Sequence, residues 1–179
     1  MKITGIVSVL FTFAVASLAE TSSPIESLKT IQEAVSAYHD SLTKWDGSAK
    51  GGLELWQKSN GFVATLKAVN LDEQAYKRYI LTREEHEQLE QEGFEIAHAL
   101  TIKVKAAMDT AIARKSDMEA VPIFGKRVPL QRLQDIQREA SRLSDALAPT
   151  ASRSRQGEAQ EIRMKIEGEL QRGYEVFKN

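Results

Sequence analysis

The stretch from Thr82 to about Met118 constrains this chain more than any other. It reads as one long helix, about 54 Å from end to end if all of its roughly 36 residues are helical. Thr82 and Glu85 stand at capping-box spacing, the hydroxyl placed for the Glu85 amide and the carboxylate placed to reach back. Counting 100° per residue from Leu89 puts Gly93, Ile96, Leu100, Val104, Ala107 and Ala111 on one stripe. Phe94, Ala97, Thr101, Met108 and Ile112 form a second stripe beside it. Together they cover an apolar arc of roughly 160°, wider than the ~100° stripe of an ordinary surface helix. A helix with so wide an arc must touch several neighbours, so it is expected at the centre of the fold. Many arc residues are small (Gly93, Ala97, Thr101, Ala107, Ala111), which either lets helices approach closely or leaves room for something else.

The rest of the chain supplies the neighbours. Ser23-Pro24-Ile25-Glu26 combines an N-cap Ser, a Pro at N1 and an early Glu. Ile25, Leu28, Ile31, Val35, Tyr38, Leu42 and Trp45 then recur at spacings of three and four until Asp46-Gly47 ends the helix. A second helix is expected over Gly51 to Val69, with Leu53, Trp56, Phe62, Val63, Leu66 and Val69 apolar and Gly61 marking a kink or a close approach. A short helix from Asp72, holding Tyr76 and Tyr79, leads into the long one. The run Val121 to Pro129, with its two Val-Pro steps, is expected to be non-helical. A further helix carries Leu130, Leu133, Ile136, Ala140, Leu143 and Leu147 and ends at Ala148-Pro149. The last begins near Ser152 or Ser154 and carries Ala159, Ile162, Ile166, Leu170, Gly173 and Phe177. No alternating β-branched run interrupts this pattern. The fold class is therefore all-α, a helical bundle of about five helices around one long central helix.

The first nineteen residues read differently. Lys2, the apolar run Ile3 to Ala16 and the small residues of Ser17-Leu18-Ala19 have the form of a secretory signal peptide cleaved before Glu20. The run is shorter than the ~20 residues a membrane-spanning helix needs. The expected organisation is thus a signal peptide over 1–19 and a single helical domain over 20–179, with no transmembrane segment in the mature protein. Removing Lys2 from the 24 basic residues leaves 23 against 25 acidic ones, a balance that points to neither nucleic acid nor an anionic membrane. There is no cysteine, so disulfides and thiolate chemistry are excluded even though a secreted chain meets oxidising conditions. The charged C-terminal residues Tyr174 to Asn179 argue for release over lipid anchoring.

Chemistry is hard to find. Glu95-Ile96-Ala97-His98 has the Glu-x-x-His spacing of di-metal bundles, but His39 and His86 follow Ser36 and Arg83 at that offset, so the second copy is missing. The wheel also turns Glu95 away from the apolar arc. No Gly-x-Ser-x-Gly elbow or zinc-protease motif occurs. No catalytic residue, metal or cofactor is expected. Trp45 and Trp56 flank the Asp46 to Gly52 turn and are read as capping one end of the core, with an exposed apolar patch as the alternative.

The order of elements is familiar. A cysteine-free secreted chain whose first helix ends in an aromatic-Asp-Gly turn followed by Gly51-Gly52 resembles the fungal hydrophobic surface-binding protein A family, which includes the lipid-binding repeats of cell-wall galactomannoproteins. Leu66-Lys67-Ala68, Ala111-Ile112-Ala113-Arg114-Lys115-Ser116-Asp117-Met118 and Gly173-Tyr174-Glu175-Val176-Phe177 carry the likeness. The resemblance implies a secreted or wall-associated, non-enzymatic bundle that binds a fatty acid or other lipid in its apolar interior. Some members are also thought to coat hydrophobic surfaces and recruit hydrolytic enzymes. This chain is richer in Glu, Arg and Lys than the family norm and lacks the Ser/Thr-rich tail of the wall mannoproteins, which weighs against adsorption and covalent wall attachment. Lining candidates for the interior are Leu66, Phe94, Ala97, Leu100, Val104, Leu133, Ile136, Ile166 and Leu170, which could equally pack against one another. A surface-coating protein and a secreted interaction protein without a lipid are the alternative readings.

Overall fold

The computed structural model describes residues 24–69, 82–122 and 127–179. The expected signal peptide, the Ser23 cap, the short helix after Asp72 and residues 123–126 lie outside the described residues. Among those described, six α-helices account for nearly all of the structure, and the fold is an all-α bundle. They are α1 (Pro24–Lys44), α2 (Ala49–Ala68), α3 (Arg83–Ala113), α4 (Lys115–Ala120), α5 (Arg127–Leu147) and α6 (Gln156–Lys178), with 3₁₀ turns at Ala148–Thr150 and Arg153–Arg155.

Helix α3 is the hub, packing on α1 and α6 along most of its length. Its start matches the sequence expectation: Glu85 N donates to Thr82 Oγ1 at 3.2 Å and Thr82 N donates back to Glu85 Oε2 at 2.7 Å. Its end does not. The helix stops at Ala113, and Arg114, at φ −102° and ψ 13°, separates it from the short α4. The reason is what the Arg114 side chain reaches. Its Nη1 donates to Leu42 O at 2.9 Å and to Trp45 O, and its guanidinium lies 4.7 Å from the centre of the Trp45 ring. It therefore closes carbonyls at the C-terminal end of α1.

Two further cations do the same for other helices. Arg142 of α5 donates to Leu66 O at 2.7 Å and to Val69 O at 3.4 Å at the end of α2. Lys115 Nζ donates to Val176 O at 2.8 Å near the end of α6. Arg142 is aimed by Glu139, whose side chain is 9% exposed and accepts from Arg142 Nε at 2.9 Å. That hydrogen bond outweighs burial and holds the Glu139 carboxyl below its usual range.

Cross-links fix the directions. The pairs Lys29–Glu92, Ser36–Lys103 and His39–Thr110 make α1 and α3 parallel, and His98–Glu158 with Asp109–Arg172 makes α3 and α6 parallel. Asn60–Arg132 and Leu66–Arg142 run α2 beside α5, antiparallel to the other three. One pole of the bundle thus gathers the starts of α1, α3 and α6 with the ends of α2 and α5.

At the opposite pole the turn after α1 needs Gly47 at φ +80°, a left-handed position. Ser48 caps α2 two residues earlier than expected, accepting from Gly51 N at 3.0 Å. Trp45 is buried at 6% exposure with Nε1 donating to Ser48 O, whereas Trp56 is 38% exposed, so the two tryptophans do not share one role. Gly61 has open space where a Cβ would sit, which removes close approach as its reason. Gly173 does mark one: a Cβ there would lie 2.8 Å from Met108 Sδ, where α6 meets α3. Pro129 falls in the first turn of α5, where a missing amide costs no helical hydrogen bond. This is why that helix starts earlier than the Val-Pro steps suggest.

Candidate functional site

Between α1, α2, α3, α5 and α6 lies a cavity of about 1010 Å³. It follows α3 from His86 to Met108, about 33 Å of helix rise. Its wall is overwhelmingly apolar: Ile25, Leu28, Ile31 and Val35 from α1, Phe62 and Leu66 from α2, and Ile136, Ala140 and Leu143 from α5. The small residues of the α3 arc divide between the two roles open to them. Gly93, Ala97 and Ala107 border the cavity, while Ala111 is buried outside its wall.

Of the nine residues expected to line an interior site, eight stand on this wall: Leu66, Phe94, Ala97, Leu100, Val104, Ile136, Ile166 and Leu170. Leu133 does not. It borders a separate space of about 40 Å³ beside Met108, Met118 and Phe177, and packs against Gly173. Sequence reasoning missed the α1 contribution and the stretch 144–151, which also borders the cavity. The α1 stripe was visible as a core stripe. Nothing in its spacing distinguishes a side chain that meets another helix from one that meets open space.

Polar groups gather at the pole where α3 begins. His86 and Leu89 are exposed and border the cavity there, which marks its opening. Glu90, Ser144, Asp145 and Arg163 stand at the same rim. These charges are already engaged. Glu90 Oε1 accepts from Ser152 N at 2.6 Å, and Arg163 holds Asp145 at 2.5 Å and Glu167 at 2.9 Å. Beside the rim, the Arg155 guanidinium sits 3.8 Å from the centre of the Phe94 ring and donates to Glu158 Oε2 at 2.9 Å and to Gln91 Oε1 at 3.0 Å. His98 Nε2 lies 2.7 Å from the other Glu158 oxygen. Arg155 first, and His98 second, keep that carboxyl below its usual range. Glu95 is exposed and accepts from Gln91 Nε2, so Glu95 and His98 serve different partners. Among the described residues no group of three or more His, Cys, Asp or Glu could hold a metal ion.

The inner part of the cavity carries one phenol. Tyr38 stacks on Phe62 with ring centres 5.6 Å apart and planes 16° apart. Burial pushes its hydroxyl up to about 12, only partly offset by the charge of Arg132. Tyr38 borders both the large cavity and the small one.

The lining of the space decides what it can hold. Water finds few partners on a wall of Ile, Leu, Val, Phe and Ala, whereas an aliphatic chain matches it.

Comparison with known proteins agrees with this geometry. Residues 21–149 match the family model described as hydrophobic surface binding protein A. Among solved structures, Afmp4p in complex with palmitic acid superposes with a TM-score of 0.70 at 14% identity, covering 86% of this chain and 97% of that one. Ligand binding domain 1 of the Penicillium marneffei MP1 protein, complexed with arachidonic acids, gives 0.60 at 15% identity over 85% and 94% of the two chains. Its ligand binding domain 2, complexed with multiple arachidonic acids, gives 0.59 at 14% identity over 85% and 92%. At these identities the likeness is one of fold. No functionally curated protein matches the chain.

Proposed function

The chain belongs to the hydrophobic surface binding protein A family, and from that premise we propose that it is a secreted, non-enzymatic lipid carrier that takes a fatty acid or similar aliphatic chain into its interior. The observation that carries the reading is the apolar cavity of about 1010 Å³ between its five long helices. Eight of the nine expected lining residues border it, and the proposal assigns them to the ligand's hydrocarbon chain. The fatty acids named with the similar solved structures point the same way. Each buried methylene contributes about 0.8 kcal/mol, so ten give about 8 kcal/mol before the costs of ordering, which corresponds to a micromolar Kd. No step of bond-making is needed; the work is desolvation and storage.

Expression of residues 20–179, purification without detergent and native mass spectrometry test this. A co-purified or added fatty acid, retained at one or more equivalents, supports the carrier. A protein that stays lipid-free after incubation with palmitic acid refutes it.

A second reading, adsorption to apolar surfaces, is favoured by one feature. Leu53 and Trp56 are exposed at 43% and 38% and lie one turn apart on α2. Retention on polystyrene beads that a Leu53→Ser, Trp56→Ser variant loses, in a protein that binds no lipid, would establish it.

A further inference from the structure

The cavity wall has its carboxylates at one end and a phenol without a hydrogen bond at the other. At the rim, Arg163 is already shared between Asp145 and Glu167, and Glu90 adds a second carboxylate to the lining. A ligand carboxylate arriving there would face two acids and one guanidinium that is already paired, with His86 and Ser144 as the other polar groups of the rim. At the inner end, Tyr38 has ring contacts and a charge neighbour, but no hydrogen bond engages its hydroxyl. Tyr38 keeps accessible surface although it lies deep in the bundle, because it faces the two spaces it borders. Arg132 borders the smaller of these. Its Nη atoms serve Asn60 and Asp135, and its Nε is buried with no partner.

Both unclaimed groups are donors, a neutral phenol and a guanidinium N–H. Only Tyr38 borders the large cavity: a methyl terminus pushed against it would leave the phenol unpaired, whereas an oxygen would satisfy it. Resting on the carrier reading above, we propose that the ligand enters polar end first and that Tyr38 donates a hydrogen bond to its oxygen at the inner end of the cavity. Tyr38 is then the specificity-determining residue. It selects aliphatic chains ending in a carboxyl or hydroxyl group over plain hydrocarbon, and the positive field of Arg132 offsets part of the cost of burying a carboxyl there. A hydroxyl, being neutral, carries no such cost and shows the effect of Tyr38 most directly.

The test uses Tyr38→Phe, which removes no hydrogen bond within the protein and so leaves the fold intact, checked by an unchanged melting temperature. Binding of palmitic acid, of the matching sixteen-carbon alcohol and of the matching alkane is measured on both proteins by displacement of a fluorescent probe. The expected result is alcohol and acid binding about three- to tenfold weaker in the variant, with alkane binding unchanged. The carboxyl resonance of carbon-13-labelled palmitic acid bound to the wild type should also move in the variant. Equal affinities of the two proteins for all three ligands, or an equal loss for all three, overturns the assignment, as does a carboxyl resonance the substitution leaves in place. A wild-type protein that binds none of the ligands overturns the carrier reading instead, so the two failures are told apart.

Discussion

Placing a phenyl ring inside the cavity should do opposite things to binding and to stability. Ala97 lies on the α3 face of the cavity wall, between Phe94 and Leu100. In Ala97→Phe the ring would occupy the room of about five chain methylenes, worth up to ~4 kcal/mol at ~0.8 kcal/mol each. That is a ceiling of roughly a thousandfold in Kd. Because a space of about 1010 Å³ offers a flexible chain another path, the expected loss is at least tenfold. Stability without lipid should rise, since the ring fills space and buries apolar surface, by about 0.5–2 kcal/mol. For a chain of this size that is ~1–8 °C in melting temperature. Probe displacement by palmitic acid measures the first effect and differential scanning calorimetry of delipidated protein the second. If the interior is instead a filled core, the added ring overpacks it and costs about 1–3 kcal/mol. A lower melting temperature with palmitic acid affinity unchanged would therefore refute the reasoning.

Three further outcomes follow from the packing. Arg114→Ala strips the carbonyl caps from the end of α1 and the cation from the Trp45 ring, and should cost about 2–3 kcal/mol, seen as a melting temperature ~4–12 °C lower. Arg114→Lys should recover only part of it, lacking the fork. Two of the three glycines of α2 should respond in opposite senses. Gly61→Ala meets open space and should stabilise by about 0.5–1 kcal/mol in urea denaturation, while in Gly51→Ala the new Cβ lies 2.7 Å from Trp45 Cδ1 and should cancel or reverse that gain. The third concerns acid. The Glu139 carboxyl is lowered in the folded state by Arg142, so its contribution to stability is fully present above the unfolded carboxyl range near pH ~4.3 and fades as pH falls through the depressed folded value. Glu139→Gln should flatten the acid limb of stability against pH, and an unchanged limb would remove Glu139 from that role.

Much of this fold was legible in the chain because helix periodicity and capping chemistry are local. The Thr82–Glu85 box, the Asp46-Gly47 stop and the stripes of α1, α5 and α6 are each set within a few turns, and each stands where its residues put it. The break at Arg114 was not legible, because its cause is the end of a helix some seventy residues earlier, reached only once the bundle has formed. Arg142 escaped notice for the same reason: a carbonyl awaiting a cation leaves no trace in composition. The cavity lies between these cases. The mixture of small and large residues on α3 signalled that space or close contact was coming, and eight of the expected lining residues stand on its wall. Which small residue marks which outcome depends on the distance between helix axes, a tertiary quantity. Leu133 sits on the same face of α5 as Ile136, yet packs instead where Gly173 draws α6 close.

Two adjacent residues where α3 gives way to α4 have a mechanical consequence. Arg114 ties α3 to the end of α1, and Lys115 ties it to the end of α6, with side chains only 18% and 23% exposed. A chain without cysteine has no covalent staple, so this pair acts as a rivet at one pole. At the other pole the tie between α1 and α3 is wetter: Lys29 and Glu92 are 52% and 46% exposed, and such pairs contribute at most about 1 kcal/mol. Rigidity is thus distributed along the axis like that of a tweezer, pinned at the heel and compliant at the tips. In the carrier proposed above, cargo would pass between the tips while the heel, and with it the register of every helix, stays closed.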